Sequence, residues 1–257
     1  SKPLCAEKNA TRNNLLQMMK KNRLLHIPIL NEKKQVIGLE TLHGLNEKYK
    51  YDNPVVLMAG GFGKRLHPIT LDIPKPLLPI GDKPMLQIIV ERFIESGFKN
   101  IFISTHFQAK QVHNYFGDGE DFGVSIKYIH EDMPLGTAGA LGLLPPDIEQ
   151  IPVIVMNGDV LSKVNLKELL HYHRDSGGVA TMCIRECDMQ VPYGVVKTKE
   201  QNILDIIEKP INKFFVNAGI YVLEPSVISK VTKDKYLDMT DLLQSEIKSG
   251  NQINAFP

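Results

Sequence analysis

The sequence predicts an α/β protein with a mostly parallel central sheet flanked by helices. From residue 54 onward, short apolar runs alternate with stretches of helical period. The runs at 55–58 and 153–156 are apolar at every position, which is typical of strands buried on both faces. The chain has 257 residues, of which 43% are hydrophobic and 23% charged, enough for one large core and a smaller unit.

The elements of this sheet follow one another along residues 54–257. We expect strands at 55–58, 101–104, 125–129 and 153–156, with helices at 85–96, 109–116, 138–144 and 166–175. Beyond Gly178 the pattern changes to shorter strands, at 180–184, 194–198, 204–208 and 220–223. In sheets of this class, ligands bind beyond the carboxyl ends of the strands, so we expect the functional site there.

The N-terminal residues form a separate unit in this interpretation. A helical stretch containing Leu15 and Leu16 precedes two strands, HIPIL at 26–30 and VIGLETL at 36–42, joined by a polar turn. This spacing resembles one CBS motif. We therefore expect three parts: a single CBS motif at 1–45, half of a CBS pair; a linker at 46–53; and a large domain at 54–257. The partner motif is expected either to have been removed or to lie on another chain. The alternative is a plain two-stranded addition.

Composition excludes several classes of function. The formal net charge is +1, so no global field would attract nucleic acid or an acidic membrane. No apolar run approaches the roughly 20 residues of a membrane span, and the N-terminus lacks the apolar segment of a signal peptide. The three cysteines show no ligand spacing and are expected to be reduced, structural thiols. The sequence therefore predicts a cytoplasmic location.

A glycine-rich turn follows the first strand of the large domain. The run VVLMAGGFGKRL at 55–66 places Gly60, Gly61 and Gly63 directly before Lys64 and Arg65. Glycines allow backbone N–H groups to converge on one point, and the two cations add positive charge there, so the turn suits a polyphosphate. It matches neither GxxxxGK[ST] nor GxGxxG, which excludes the P-loop and the dinucleotide fingerprint.

The longer run LMAGGFGKRLHPITLDIPKPLLPIGDKPM, at 57–85, resembles the sugar-1-phosphate nucleotidyltransferases, also called nucleoside-diphosphate-sugar pyrophosphorylases. The residues that carry the likeness after the glycine loop are Pro68, Thr70, Pro74, Lys75, Pro76 and Pro84. The resemblance implies a Rossmann-like fold of the nucleotide-diphospho-sugar transferase type. It also implies attack of a sugar-1-phosphate oxygen on the α-phosphorus of a nucleoside triphosphate, with release of pyrophosphate.

The resemblance also implies roles for individual residues. Arg65 would brace the triphosphate, and Lys75, held between two prolines, would meet the α-phosphate and the incoming phosphate. These two are the predicted catalytic residues. The nucleotide would be bound by Leu57, Ala59, Gly60, Gly61, Gly63, Lys64, Glu131, Gly136 and Thr137.

Asp159, at the end of the strand VIVMNGD, is the predicted ligand of Mg²⁺, a cation that prefers hard oxygen donors. The family's second metal carboxylate normally follows a tryptophan in a C-terminal segment. This sequence contains no tryptophan and ends at Pro257, so we expect a truncated chain with an impaired metal site. Asp238 is expected to cap a helix, with Asp241 in its first turn opposing the helix dipole.

The base would be read by the loop HEDMPLGTAG at 130–139. Glu131 stands where thymidylyl and uridylyl members of the family tend to place Gln. A carboxylate accepts two hydrogen bonds from guanine, which favours GTP; in the alternative, Glu131 faces solvent and the backbone alone reads the base. The sugar phosphate would be bound by Asn157, Tyr193, Gly194, Glu208, Lys209, Asn217 and Gly219.

The loop also resembles that of mannose-1-phosphate guanylyltransferases. The order of a CBS segment before the nucleotidyltransferase resembles enzymes of bacterial nonulosonic acid pathways, which use glucosamine-1-phosphate and GTP. We therefore expect transfer of GMP from GTP to one of these sugar phosphates. The alternatives are a glucose-1-phosphate thymidylyl- or uridylyltransferase and a non-catalytic, nucleotide-sensing regulatory subunit. An adenine nucleotide at the CBS segment and a homo-oligomer are further expected partners.

Overall fold

The computed structural model describes residues 3–8, 10–42, 45, 51–63, 66–146, 148 and 150–257. At the N-terminus, β1 (Ala6–Glu7), α1 (Arg12–Asn22), β2 (His26–Leu30) and β3 (Val36–Thr41) form a unit with a three-stranded sheet in the order β1-β2-β3. β1 pairs with β2 in parallel, and β2 pairs with β3 in antiparallel orientation. Met19 and Ile27 are fully buried in the core of this unit.

The large sheet follows. Its strands are β4 (Val55–Met58), β7 (Asn100–Thr105), β8 (Ser125–His130), β9 (Val153–Asn157), β10 (Ala180–Gln190), β13 (Ile211–Leu223) and β14 (Ile253–Phe256). Two short hairpins lie outside it: β5 (Pro79–Ile80) with β6 (Lys83–Pro84), and β11 (Val195–Lys199) with β12 (Asn202–Ile207).

The seven strands are arranged in the order β14-β10-β13-β9-β4-β7-β8. The pairs β4–β7, β4–β9, β7–β8 and β10–β14 are parallel. The pairs β10–β13 and β9–β13 are antiparallel. The prediction of a mostly parallel sheet with helices is therefore confirmed. β4 and β9 lie at the centre, so the turns after them meet at one edge.

The helices of the large unit are α2 (Met85–Ser96), α3 (Ala109–Phe116), α4 (Leu166–Ser176), α5 (Pro225–Ile228) and α6 (Met239–Lys248). Short 3₁₀ helices span Lys75–Leu77, Glu120–Phe122 and Gly139–Leu143. α4 begins as its sequence indicates, because the Asn165 side chain accepts hydrogen bonds from the N–H groups of Lys167 and Glu168. None of the helices in the described ranges is long and apolar enough to cross a membrane.

The core lies on both faces of the sheet, as alternation along the strands requires. Val55 and Leu57 of β4 pack on one face with residues of α2, α3 and α4. Val56 points to the other face and packs with residues of α6 and of the Gly139–Leu143 helix. Fully burying each such side chain contributes about 1.5–3 kcal/mol. β4 is therefore anchored on both sides, which fixes where the glycine loop begins.

The predicted ends of two strands were wrong. β10 continues to Gln190 instead of ending at residue 184, and β13 begins at Ile211 instead of residue 220. Their antiparallel pairing extends out to Gln190 and Ile211. Side chains on this extension are largely exposed on both faces, so the hydrophobic alternation that marks a half-buried strand is absent.

Candidate functional site

A cavity of about 550 Å³ opens where β4 and β9 end, at the edge predicted for ligand binding. Its volume lies in the usual range for small-molecule sites. The predicted site residues that line it are Ala59, Gly60, Gly61, Gly63, Lys75, Glu131, Gly136, Thr137, Asn157 and Asp159. The Leu57 side chain lies in the core instead. Lys64 and Arg65 lie outside the described residues.

The glycine loop is held from both sides as it leaves β4. The Ala59 N–H donates to the Ser104 carbonyl at 3.1 Å, and the Thr70 hydroxyl donates to the Gly63 carbonyl at 2.9 Å. A Cβ atom at Gly60 would lie 2.7 Å from Oε1 of Glu131, so any larger residue here would force this carboxylate to move. Thr70 belongs to the family pattern, and its hydrogen bond to Gly63 helps to fix the conformation of the glycine loop.

Glu131, directly after β8, is 4% exposed. Its Oε2 accepts a hydrogen bond from the Leu135 N–H at 3.0 Å, and its Oε1 accepts one from the Ser104 hydroxyl. A buried carboxylate with both oxygens bonded is held in one orientation. The alternative in which Glu131 faces solvent is therefore wrong.

Lys75 and Asp159 both line the cavity and form an ion pair with each other. Lys75 begins the short 3₁₀ helix after Pro74, and Asp159 follows β9 by two residues. The two side chains are 25% and 42% exposed, so a ligand can reach both groups. A bound phosphate would compete with Asp159 for the Lys75 ammonium. A bound cation would compete with Lys75 for the Asp159 carboxylate.

Asn157, the last residue of β9, also lines the cavity and precedes Asp159 by two positions. Within the described ranges, its Oδ1 is the buried side-chain atom left without a hydrogen-bond partner. An amide oxygen and a carboxylate are hard donors that suit Mg²⁺. No cluster of three or more His, Cys, Asp or Glu side chains that could hold a metal occurs in the part of the chain that the structure describes. The Asp159 carboxylate and the Asn157 amide oxygen would suit an Mg²⁺ ion whose remaining ligands are oxygens of a bound phosphate.

The residues that line the cavity but were not predicted as site residues include Ser104, Tyr236 and Asp238. Asp238 occupies the N-cap position of α6, as expected, but its side chain makes no capping hydrogen bond, so that part of the prediction was wrong. The Thr137 hydroxyl instead accepts from the Met239 N–H at 2.8 Å. A side chain 102 positions earlier performs the capping, which no local spacing could indicate.

The predicted sugar-phosphate residues lie on two neighbouring parts of the structure. In β13, the Gly219 N–H donates to Asn217 Oδ1 at 2.9 Å, and Asn217 Nδ2 donates to the Tyr221 hydroxyl at 2.6 Å. Gly219 also lies close to Asn157, since a Cβ atom there would be 2.8 Å from Asn157 Nδ2. Asn217 and Gly219 are therefore linked to the cavity through Asn157.

The other predicted sugar-phosphate residues flank the β11–β12 hairpin. Gly194 and Glu208 lie together, since a Cβ atom at Gly194 would be 3.0 Å from Glu208 Oε2. Tyr193 is 75% exposed, and Lys209 has a positive φ of 46° in the turn before β13. These four residues do not line the cavity wall.

Comparison with known proteins identifies the family. Residues 54–257 match the nucleotidyl transferase family. The chain belongs to this family. Among curated relatives, mannose-1-phosphate guanylyltransferase 1 of Arabidopsis thaliana is 37% identical over 186 residues, which are 68% of this chain and 51% of the relative. The chain thus spans about half the length of the curated relatives it matches.

Two solved structures support the fold. A protein assigned as a glucose-1-phosphate thymidylyltransferase from Bacillus anthracis, in complex with sucrose, has a TM-score of 0.63 and 27% identity, covering 80% of this chain and 87% of its own. HddC from Yersinia pseudotuberculosis, in complex with GMP-PN, has a TM-score of 0.61 and 27% identity, covering 79% of this chain and 89% of its own.

Proposed function

We propose that this chain transfers a nucleotidyl group, in preference GMP from GTP, to a sugar-1-phosphate and releases pyrophosphate. The observation that carries the proposal is the cavity at the ends of β4 and β9, which gathers the glycine loop, Lys75 and Asp159. The curated name of the Arabidopsis relative supports a guanylyl transfer. Mannose-1-phosphate and glucosamine-1-phosphate are the proposed sugar substrates. The cytoplasmic location stays a prediction, which fractionation of cells would test.

Transfer requires positioning and neutralisation of charge more than a protein nucleophile. The glycine loop would cradle the triphosphate with its backbone N–H groups. The Lys75 ammonium would leave Asp159 and donate to the α-phosphate and the incoming sugar phosphate, so that the two reacting groups share one cation. Arg65 remains a predicted second cation for the leaving pyrophosphate.

We propose that Asp159 and Asn157 Oδ1 hold Mg²⁺ together with phosphate oxygens. When bound, the ion would neutralise charge on the phosphates during in-line displacement. The cation would then replace Lys75 as the partner of the Asp159 carboxylate. The Lys75 ammonium would be freed by the same change and could bind phosphate. Because Asn157 Oδ1 has no hydrogen-bond partner, no existing hydrogen bond to it would be lost when it bound the ion.

Base preference would depend on the wall formed by Glu131, Gly136 and Thr137. The Glu131 carboxylate is held by Ser104 and Leu135, yet each carboxylate oxygen can accept more than one hydrogen bond. Guanine presents two adjacent donors to such a group, whereas thymine or uracil presents one. A good bidentate pair discriminates by about 1–3 kcal/mol.

For the sugar phosphate, we propose recognition by Asn217 and Gly219 beside Asn157. Tyr193, Gly194, Glu208 and Lys209, on the β11–β12 hairpin, would complete the site from the outer side. The hairpin would have to lie over the bound sugar for its Glu208 and Lys209 side chains to reach hydroxyl and phosphate groups.

Calorimetric titration of GTP, dTTP, UTP, CTP and ATP into the chain, with Mg²⁺ present, tests the proposal. We expect GTP to bind most tightly and Glu131→Gln to reduce its advantage over dTTP. The fold should tolerate this change, because Gln retains an oxygen for the Leu135 N–H and its amide can donate to Ser104. Glu168→Gln, an exposed change on α4, is the matched control. Tightest binding of dTTP or UTP would instead support the thymidylyl or uridylyl alternative.

We also propose that residues 1–45 are a single CBS motif that binds an adenine nucleotide and pairs with the same motif of a second chain. The order of strand, helix and two antiparallel strands supports this proposal. Analytical ultracentrifugation with and without AMP provides the test. We expect a dimer that AMP stabilises; a monomer that AMP does not affect would contradict the proposal.

A further inference from the structure

The loop proposed to contact the base is paired with a segment far along the chain. We call residues 134–139 the base loop and residues 235–239 the clamp segment. The Leu237 N–H donates to the Leu135 carbonyl at 2.9 Å. The Leu237 carbonyl accepts from the N–H groups of Ala138 and Gly139 at 2.9 and 3.1 Å. The base loop is therefore bonded to the clamp segment through its backbone.

Side chains strengthen this pairing at Thr137. The Asp238 Oδ1 accepts from the Thr137 N–H at 3.2 Å and from the Thr137 hydroxyl at 3.3 Å. The same hydroxyl accepts from the Met239 N–H, so its proton is directed to Asp238. The other oxygen of Asp238 accepts from the Tyr236 hydroxyl at 2.8 Å. Asp238 thus joins the two segments with both oxygens bonded.

The two segments are also in close steric contact. A Cβ atom at Gly136 would lie 2.6 Å from the Leu237 carbonyl oxygen and 2.9 Å from Asp238 Oδ1. Gly136 and Thr137 line the cavity, and so do Tyr236 and Asp238. A shift of the clamp segment would therefore move the cavity wall.

We propose that Asp238 is a positioning residue that fixes Thr137 and, through it, the surface that Gly136 presents to the nucleobase. The inference rests on the proposed function, in which a nucleotide binds against the base loop. In this role Asp238 acts by accepting two hydrogen bonds from Thr137. Base affinity is then set in part by a residue of the α6 N-terminus.

The test compares Asp238→Ala with Asp238→Asn, which keeps an oxygen for Thr137. Asp241→Asn, an exposed change in the first turn of the same helix, is the matched control. Two quantities are measured for each variant: the Kd values for GTP and dTTP, and the rate of amide hydrogen exchange at residues 137–139. We expect Asp238→Ala to raise the Kd for GTP about ten-fold, as loss of hydrogen bonds to a carboxylate predicts, and to accelerate exchange.

Asp238→Asn is expected to restore most of the affinity and of the protection from exchange, and Asp241→Asn to change neither. If Asp238→Ala does not fold, Thr137→Val against Thr137→Ser removes or keeps the same hydroxyl. Unchanged exchange in Asp238→Ala, or an Asp238→Asn variant as weak as Asp238→Ala, would overturn the positioning role. Failure of the wild-type chain to bind any nucleotide would instead overturn the proposed function, while the exchange rates would still decide whether Asp238 holds the base loop.

Discussion

Replacing Gly136 by alanine gives the most direct test of how closely the clamp segment approaches the base loop. Gly136 has a φ of +79°, a conformation that costs side-chain-bearing residues about 1–2 kcal/mol. The added Cβ would also lie 2.6 Å from the Leu237 carbonyl oxygen. This neighbour is backbone, bonded to Ala138 and Gly139, so it cannot rotate away as a side chain could.

Gly250→Ala separates the two costs. Gly250 has a nearly equal φ of +82°, but nothing lies within 4 Å of its added Cβ. We expect Gly250→Ala to lower the free energy of unfolding by about 1–2 kcal/mol, from backbone conformation alone. Gly136→Ala should add an overpacking cost of about 1–3 kcal/mol, for a total of about 2–5 kcal/mol.

Urea unfolding followed by far-ultraviolet circular dichroism measures both variants, because this signal does not require the tryptophan that the chain lacks. The slope of the free energy against urea concentration should match that of the wild-type chain, so that the midpoint reports stability. An equal loss in the two variants would refute the close approach. Nucleotide binding by folded Gly136→Ala at wild-type affinity would refute the place of Gly136 in the cavity wall.

Three further changes have defined outcomes. Burial lowers the pKa of His173 below its ordinary 6.5, so between these two pKa values the unfolded chain binds more protons than the folded one. The contribution of His173 to the free energy of unfolding should therefore be fully present above about pH 6.5 and be lost as the pH falls below it. His173→Gln should make the urea midpoint less dependent on pH between about pH 8 and 5.5. Lys75→Ala should reduce nucleotidyl transfer by about 100-fold or more, while Lys213→Ala on the exposed β10–β13 extension leaves it unchanged; equal activities would place the chemistry elsewhere. Tyr221→Phe removes the partner of the Asn217 amide and should weaken calorimetric binding of sugar-1-phosphate, with GTP binding retained.

Much of the large sheet could be predicted from the sequence. β4 and β9 are apolar at nearly every position, and their neighbours alternate with amphipathic helices, so their period and length specify the element. The glycine loop and Asp159 follow directly from these strands. Patterns within short stretches of the sequence therefore indicate the side of the cavity that the turns after β4 and β9 form.

The opposite wall depends on contacts between distant segments, which no short pattern contains. The Asp238 side chain accepts hydrogen bonds from Thr137 and makes none to its own helix, while the Thr137 hydroxyl accepts one from the Met239 N–H. An aspartate at an N-cap position gives the same local pattern in either arrangement. The outer half of β13 was missed for another reason: its exposed Phe214 and Phe215 follow one another and break the alternation of a half-buried strand.

The pairing of the base loop with the clamp segment has a consequence for synthesis of the protein. Thr137 and Asp238 are 101 positions apart, and strands β4, β7, β8 and β9 all leave the ribosome before residue 237. A nascent chain that ends before Leu237 can pair these strands but lacks one wall of the cavity. A nucleotide that needs this wall would therefore bind only after residue 237 has been synthesised and has paired with the base loop. Closure of so long a loop is also expected to slow the last step of folding.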